Sequence, residues 1–222
     1  MNRPWKFTLV QKAFTQKCMW EFALATMPEM WKHDLEPDAI NYNAAINACS
    51  KAMQWKQAFG MLAKMQEHGM LPNAISYNAV TSACEKGEQW ERAFGILARM
   101  QEHSLEVDLL TYNAAIRACD KEQQGQRALE IFVDMRMHNL KPNVISYNAA
   151  ITACGKGKQW KWAIGILPEM LKDGLKPDLI SNSAAISSCE KGGQWERALR
   201  ILAQMLDHGL EPSVISYNAV IS

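Results

Sequence analysis

Residues 39–73 read AINYNAAINACSKAMQWKQAFGMLAKMQEHGMLPN, and the chain repeats this 35-residue unit without an insertion, restarting at Ala74, Leu109, Val144, Leu179 and Val214. A fixed period of this length outranks any window-by-window reading, because each unit must be one supersecondary element. Two columns hold the register. Trp20, Trp55, Trp90, Trp160 and Trp195 form one, interrupted at Gly125; Met30, Met65, Met100, Met135, Met170 and Met205 form the other.

Within the unit, Tyr42, Ala45, Ile46 and Cys49 recur at helical spacing, and Trp55, Ala58, Leu62 and Met65 do so again further on. Each unit is therefore predicted to be two short helices. Segments such as Lys86-Gly87-Glu88-Gln89 separate them, Gly69, Gly174 and Gly209 stop the second helix, and Pro37, Pro72, Pro142, Pro177 and Pro212 bar its continuation. Pro28 and Pro168 fall inside second helices, where a bend or early break is expected. A lone two-helix hairpin cannot bury its apolar face, so neighbours must stack. The expected fold is all-α, a right-handed α-solenoid of stacked two-helix hairpins. Its units are a degenerate repeat at 4–38, full repeats at 39–73, 74–108, 109–143, 144–178 and 179–213, and the start of another at 214–222.

The hydrophobic share of 48% supplies a continuous core, while a net charge of +1 excludes a generally basic, phosphate-coating surface. Any nucleic-acid site must be a local stripe. No run approaches the ~20 apolar residues of a membrane span. Cys49, Cys84, Cys119, Cys154 and Cys189 recur once per unit, with Cys18 out of phase, and no pair has zinc-site spacing. They read as small buried apolar side chains in a reduced, intracellular protein. His33, His68, His103, His138 and His208 share one column, with Asp173 as its exception; at the ends of second helices they are expected to complement exposed carbonyls. No nucleophile-elbow, phosphate-loop or zinc-protease string occurs, so neither catalysis nor a cofactor nor a metal is expected. Arg3, Lys6, Lys12 and Lys17 precede the first acid, Glu21, as in an organellar presequence, but Trp20 already stands in the repeat register and favours a decayed repeat.

Asn43, Asn78, Asn113, Asn148 and Asn218 are poor helix formers placed early in each first helix. The residues alone leave two explanations equally open: local capping beside Ser76, Thr111, Ser146, Ser181 or Ser216, or an amide kept to read the edge of an unstacked base. The strings INYNAAINAC, ISYNAVTSAC, LTYNAAIRAC and ISYNAAITAC, with LKPN, LKPD and LEPS endings, resemble the pentatricopeptide repeat family over nearly the whole chain. That resemblance favours base reading. It implies single-stranded RNA binding with one base per repeat, read jointly by Asn43 with Asn73, Asn78 with Asp108, Asn113 with Asn143, Asn148 with Asp178, and Ser183 with Ser213. The last residue of each pair is equally suited to cap the next helix. The family's pairing rules make Asn with Asp favour U and Asn with Asn favour a pyrimidine, about Y-U-Y-U over four units. Ser183 with Ser213 leaves its base open with a leaning to purine, and Asn182 there replaces the usual Tyr; Thr8 with Asp38 suggests G, although Trp5 and Phe7 depart from the pattern.

The same resemblance makes Ile40, Ile75, Leu110, Ile145, Ile180 and Ile215 base clamps, against which stands ordinary packing of hairpin on hairpin. Lys51, Lys86, Lys121, Lys156 and Lys191 supply the local positive stripe and are expected to contact phosphate, although lysine at a helix C-terminus is also a dipole partner. The family implies work on chloroplast or mitochondrial transcripts, in their processing, stability or translation, with protein effectors as further partners. The competing reading is a protein-binding helical scaffold, which the 35-residue period and the asparagine column oppose.

Overall fold

The computed structural model describes residues 19–221, apart from the side chain of Ile215. The readings on Trp5, Phe7, Thr8 and Cys18, and the clamp role of the Ile215 side chain, lie outside what it describes. Among the described residues twelve α-helices follow one another: α1 (Trp20–Lys32), α2 (Ala39–Lys51), α3 (Trp55–Glu67), α4 (Ala74–Lys86), α5 (Trp90–Glu102), α6 (Leu109–Lys121), α7 (Gly125–Met137), α8 (Val144–Lys156), α9 (Trp160–Lys172), α10 (Leu179–Lys191), α11 (Trp195–Asp207) and α12 (Val214–Ile221). They fall into two compact units, residues 1–107 and 108–222. Within each, a first helix packs on its hairpin partner and on the first helix of the next repeat, as α2 does on α3 and α4, and α8 on α9 and α10.

Local chemistry sets the helix ends. Asp38, Asn73, Asp108, Asn143 and Asp178 each cap a first helix by accepting the backbone N–H three residues on. At the other end the residue after the cap swings to positive φ, so that the following N–H returns to the last turn: Gln89 to the Cys84 carbonyl at 2.9 Å, Leu105 to that of Met100 at 2.8 Å. Glycine takes that position at Gly69, Gly174, Gly193 and Gly209, but Glu88 and Lys158 take it elsewhere, one residue after a glycine.

Gly87 and Gly157 are therefore present for packing rather than for the turn. A Cβ on Gly87 would stand 2.3 Å from the Trp55 indole, and one on Gly192 2.4 Å from that of Trp160. Trp55 and Trp160 thus lodge against the first-helix end of the next repeat. The interruption of the tryptophan column at Gly125 has the same origin. Gly157 meets Gly125 backbone to backbone, a Cβ on Gly157 falling 2.5 Å from the Gly125 nitrogen, which leaves no space for an indole.

The expected early break at the internal prolines does not occur: α1 and α9 run their full 13 residues through Pro28 and Pro168. Both prolines lie on the exposed face of their helices, where water can reach a carbonyl that loses its amide partner. The cysteines pack as expected. Cys49, Cys84, Cys119, Cys154 and Cys189 are fully buried, and burial pushes the Cys84, Cys119 and Cys154 thiols up to about 12, away from the nucleophilic thiolate.

The histidines end second helices, with Nδ1 of His68, His138 and His208 at 2.7, 2.9 and 2.6 Å from the carbonyl four residues back. They also do something the sequence did not announce. The buried Tyr42 hydroxyl lies 3.0 Å from His68 Nδ1, that of Tyr112 lies 3.3 Å from His138 Nδ1, and Tyr147 donates to Asp173, tying the two helices of one hairpin. Asn182 stands where the tyrosine should be, and it lines, with His208, a groove of about 490 Å³ between α9 and α11.

Candidate nucleic-acid interface

The second residue of the first helices α2, α4, α6, α8 and α10 is aliphatic and faces solvent. Ile40, Ile75, Leu110, Ile145 and Ile180 are 55, 64, 63, 55 and 61% exposed. Packing of hairpin on hairpin therefore does not account for them, and a repeated apolar side chain held in water marks a contact surface.

Three residues further along, the side chains of Asn43 and Asn148 are oriented by the following repeat. Ser76 donates its hydroxyl to Asn43 Oδ1 at 2.6 Å, and Ser181 does the same to Asn148 Oδ1. Holding the oxygen also sets where the planar amide places its nitrogen; in Asn148 it donates to Asp178, 3.2 and 3.1 Å from the two carboxylate oxygens. Thus the structure brings Asn148 and Asp178 together. Asn113 differs: it is buried, its Oδ1 has no partner, and Ser146 turns instead to Asn143. Asn78 lies in the first unit and Asp108 in the second. Local capping by the asparagine itself is not what the side chains of Asn43 and Asn148 do. Their link to the next repeat was missed by the sequence reading, although the buried Ser column three residues into each helix was its visible signal.

The last residue of each pair is doubly placed. Asp178 accepts the Ser181 amide through Oδ1 at 2.8 Å, Asn73 the Ser76 amide at 3.1 Å, and Asn143 the Ser146 amide at 3.0 Å. One oxygen is committed to the cap, which leaves the second atom of the fork outside it; in Asp178 that atom accepts from Asn148 at 3.1 Å. In asparagine that atom is an amide donor; in aspartate it is an acceptor. Burial alone would raise the Asp178 carboxyl, but hydrogen bonds from the Ser181 amide and hydroxyl and from Asn148 outweigh it and hold the group below its ordinary value.

The lysines close each first helix, and two of them already have protein partners. Lys86 donates to the Ser50 carbonyl at 3.1 Å and Lys156 pairs with Asp120 at 3.0 Å, each joining the end of the preceding first helix. Lys86 thus meets a helix-end carbonyl, that of the preceding first helix, whereas Lys156 forms an ion pair with a carboxylate. Between α8 and α10 the columns converge on one cavity of about 610 Å³, lined among others by Ile180, Ser183, Ser213, Lys156 and Lys191. Ser183 and Ser213 both bond the Ser216 hydroxyl, at 2.8 and 3.2 Å.

No group of three or more His, Cys, Asp or Glu side chains able to hold a metal ion occurs among the described residues, and no helix there is long and apolar enough to cross a membrane.

Family models match along the chain: a pentatricopeptide repeat domain at residues 95–157 and 165–222, a PPR repeat family at 37–86, and a PPR repeat at 75–105 and 145–175. The crystal structure of the maize pentatricopeptide repeat protein PPR10 is similar, with a TM-score of 0.71 and 26% identity over 97% of this chain and 36% of that one. PPR10 in complex with an 18-nt psaJ RNA element gives a TM-score of 0.56 at 21% identity over the same shares. The PPR domain of Arabidopsis thaliana protein-only RNase P 1 in complex with tRNA gives 0.67 at 15% identity, over 79% of this chain and 93% of that domain. The last two show the fold. This chain spans 36% of the length of the maize protein. A search of curated protein sequences gives no match.

Proposed function

Because the chain belongs to the pentatricopeptide repeat family, we propose that it binds single-stranded RNA through its first-helix faces, one base per repeat. The observation that carries this reading is the exposed aliphatic column beside side chains that each commit one oxygen to a helix cap. Ile40, Ile75, Leu110, Ile145 and Ile180 clamp the bases. Asn43 with Asn73, Asn78 with Asp108, Asn113 with Asn143, and Asn148 with Asp178 read their edges.

Capping gives the pairs a chemical sense. Aspartate, with an acceptor outward, suits a base whose ring nitrogen carries hydrogen, as in uracil; asparagine, with a donor outward, suits one whose ring nitrogen is bare, as in cytosine. The four units then prefer about Y-U-Y-U. By family membership the RNA is a chloroplast or mitochondrial transcript, bound for its processing, stability or translation.

Lys51, Lys121 and Lys191, with Lys86 and Lys156 once these exchange Ser50 and Asp120 for phosphate, contact the backbone. Affinity for a short pyrimidine RNA is therefore expected to fall with salt, log K against log salt having a slope of about −0.7 per phosphate contacted. Fluorescence anisotropy across a salt series checks this, and an affinity independent of salt contradicts it. A protein-binding scaffold is the competing reading. It has its own surface in the apolar groove between α9 and α11, lined by Leu167, Leu171 and Ile201 with Lys176 and Arg200 beside them.

A further inference from the structure

The repeat 179–213 departs from its siblings at Ser183, Ser188 and Ser213, the preceding repeat departs at Gly155, and the departures gather around one cavity. Ser183 and Ser213 replace the longer Asn and Asp or Asn of the other reading pairs. Ser188 stands where Ala48, Ala83, Ala118 and Ala153 stand elsewhere, and Gly155 where Ser50, Glu85 and Asp120 do. Ser183, Ser188, Ser213 and Gly155 all line the cavity of about 610 Å³ between α8 and α10.

Ser188 has no structural reason to differ from alanine. Its side chain is 1% exposed and its hydroxyl has no hydrogen-bond partner, an arrangement that costs stability wherever an alanine would fit. Gly155 is what gives that hydroxyl freedom: a Cβ there would lie 3.1 Å from Ser188 Cβ and 3.5 Å from its Oγ. Without it, the Ser188 side chain has room to rotate toward the cavity. At the cavity mouth the reading atoms recede, since serine ends about one bond, roughly 1.5 Å, short of asparagine. Ser183 and Ser188 are five residues apart, about 7.5 Å along the helix and roughly 140° around it, Ser188 being the one against Gly155. A single ring held at the mouth does not bridge that distance, whereas a fused double ring reaches further in.

We propose that Ser188 is a specificity-determining residue of this repeat, contacting from the cavity wall a purine base that enters past Ser183 and Ser213. The inference rests on the RNA-binding reading above and adds to it a third contact, outside the reading pair. The Ser188 hydroxyl donates to or accepts from the far edge of the purine, so adenine and guanine are both taken. Gly155 is a positioning residue: it acts only by leaving the serine room to turn.

The test uses the full 222-residue chain and short single-stranded RNAs with a Y-U-Y-U core, carrying A, G, C or U at either end. Dissociation constants are read by anisotropy. Purine is expected to bind more tightly than pyrimidine at one end. Ser188→Ala is expected to lower that preference about threefold to tenfold, the worth of one hydrogen bond. Affinity for the pyrimidine-ended RNA and the Tm are expected to be unchanged or higher. Gly155→Ala is expected to lower the preference similarly by holding Ser188 in place. A preference unaffected by Ser188→Ala, or a pyrimidine preference in the parent chain, overturns the proposal while leaving the RNA reading intact. Failure to bind any of the RNAs overturns the RNA reading itself.

Discussion

Replacing Ile75, Leu110, Ile145 and Ile180 together by aspartate is expected to weaken RNA binding by at least about 100-fold, with no loss of thermal stability. The size follows from what each side chain does. Base stacking on a protein platform is worth about 1–3 kcal/mol for an aromatic surface and less for an aliphatic one, and four sites act together. The new carboxylates also add four negative charges that repel a polyanionic strand. Stability is spared because these side chains are more than half exposed. Each is also the second residue of its helix, where a negative charge meets the positive end of the dipole and adds a few tenths of a kcal/mol. Circular dichroism melting and anisotropy on the same sample check both halves. A variant that unfolds would make the column structural, and one that binds RNA as tightly as the parent would remove the clamp from the account.

The second large effect concerns a glycine. Gly157→Ala is expected to destabilise the second unit by about 3 kcal/mol or more, the upper range for an overpacked contact. Its Cβ would meet Gly125 N at 2.5 Å, Gly125 Cα at 2.7 Å and Gln123 O at 3.0 Å, all backbone atoms that no side-chain rotation can move away. The α6–α7 hairpin must then shift from α8. Gly165→Ala is the internal control, with nothing within 4 Å of its Cβ; in a helix interior it is expected to stabilise by roughly 0.5–1 kcal/mol. Urea melts of the two variants should move in opposite directions. A neutral Gly157→Ala would mean that the backbone contact is not held as described.

The contrast between these glycines shows where sequence reading succeeded. The repeat, the two helices, the core columns and the stop signals were legible, since each depends on residues within one turn or one period. Gly87 was read with its neighbours as a turn, and the turn is there. Its close contact, however, is with Trp55, 32 positions earlier, while Glu88 carries the positive φ. The same limit hid the asparagine link. Ser76 and Asn43 are 33 residues apart, as are Ser181 and Asn148, so no local window pairs them. Lys86 reaches the Ser50 carbonyl across 36. Comparing each column with the one nearly a full period away would have paired all three. The early break expected at Pro168 failed for a different reason: proline's cost in a helix depends on which face it occupies, and the columns of Trp160, Ala163, Leu167 and Met170 leave it on the outer one.

The reading pairs carry the central claim, and a selection from randomised short RNAs tests them most directly. The parent chain is expected to enrich about Y-U-Y-U. The double variant Asn78→Thr, Asn148→Thr is expected to change U to G at two positions separated by one base, about tenfold at each, with both pyrimidine positions unchanged. Threonine keeps an oxygen that can accept the Ser181 hydroxyl, so the repeat-to-repeat link survives while the amide is lost. An enriched sequence identical before and after both substitutions would contradict base reading by these asparagines.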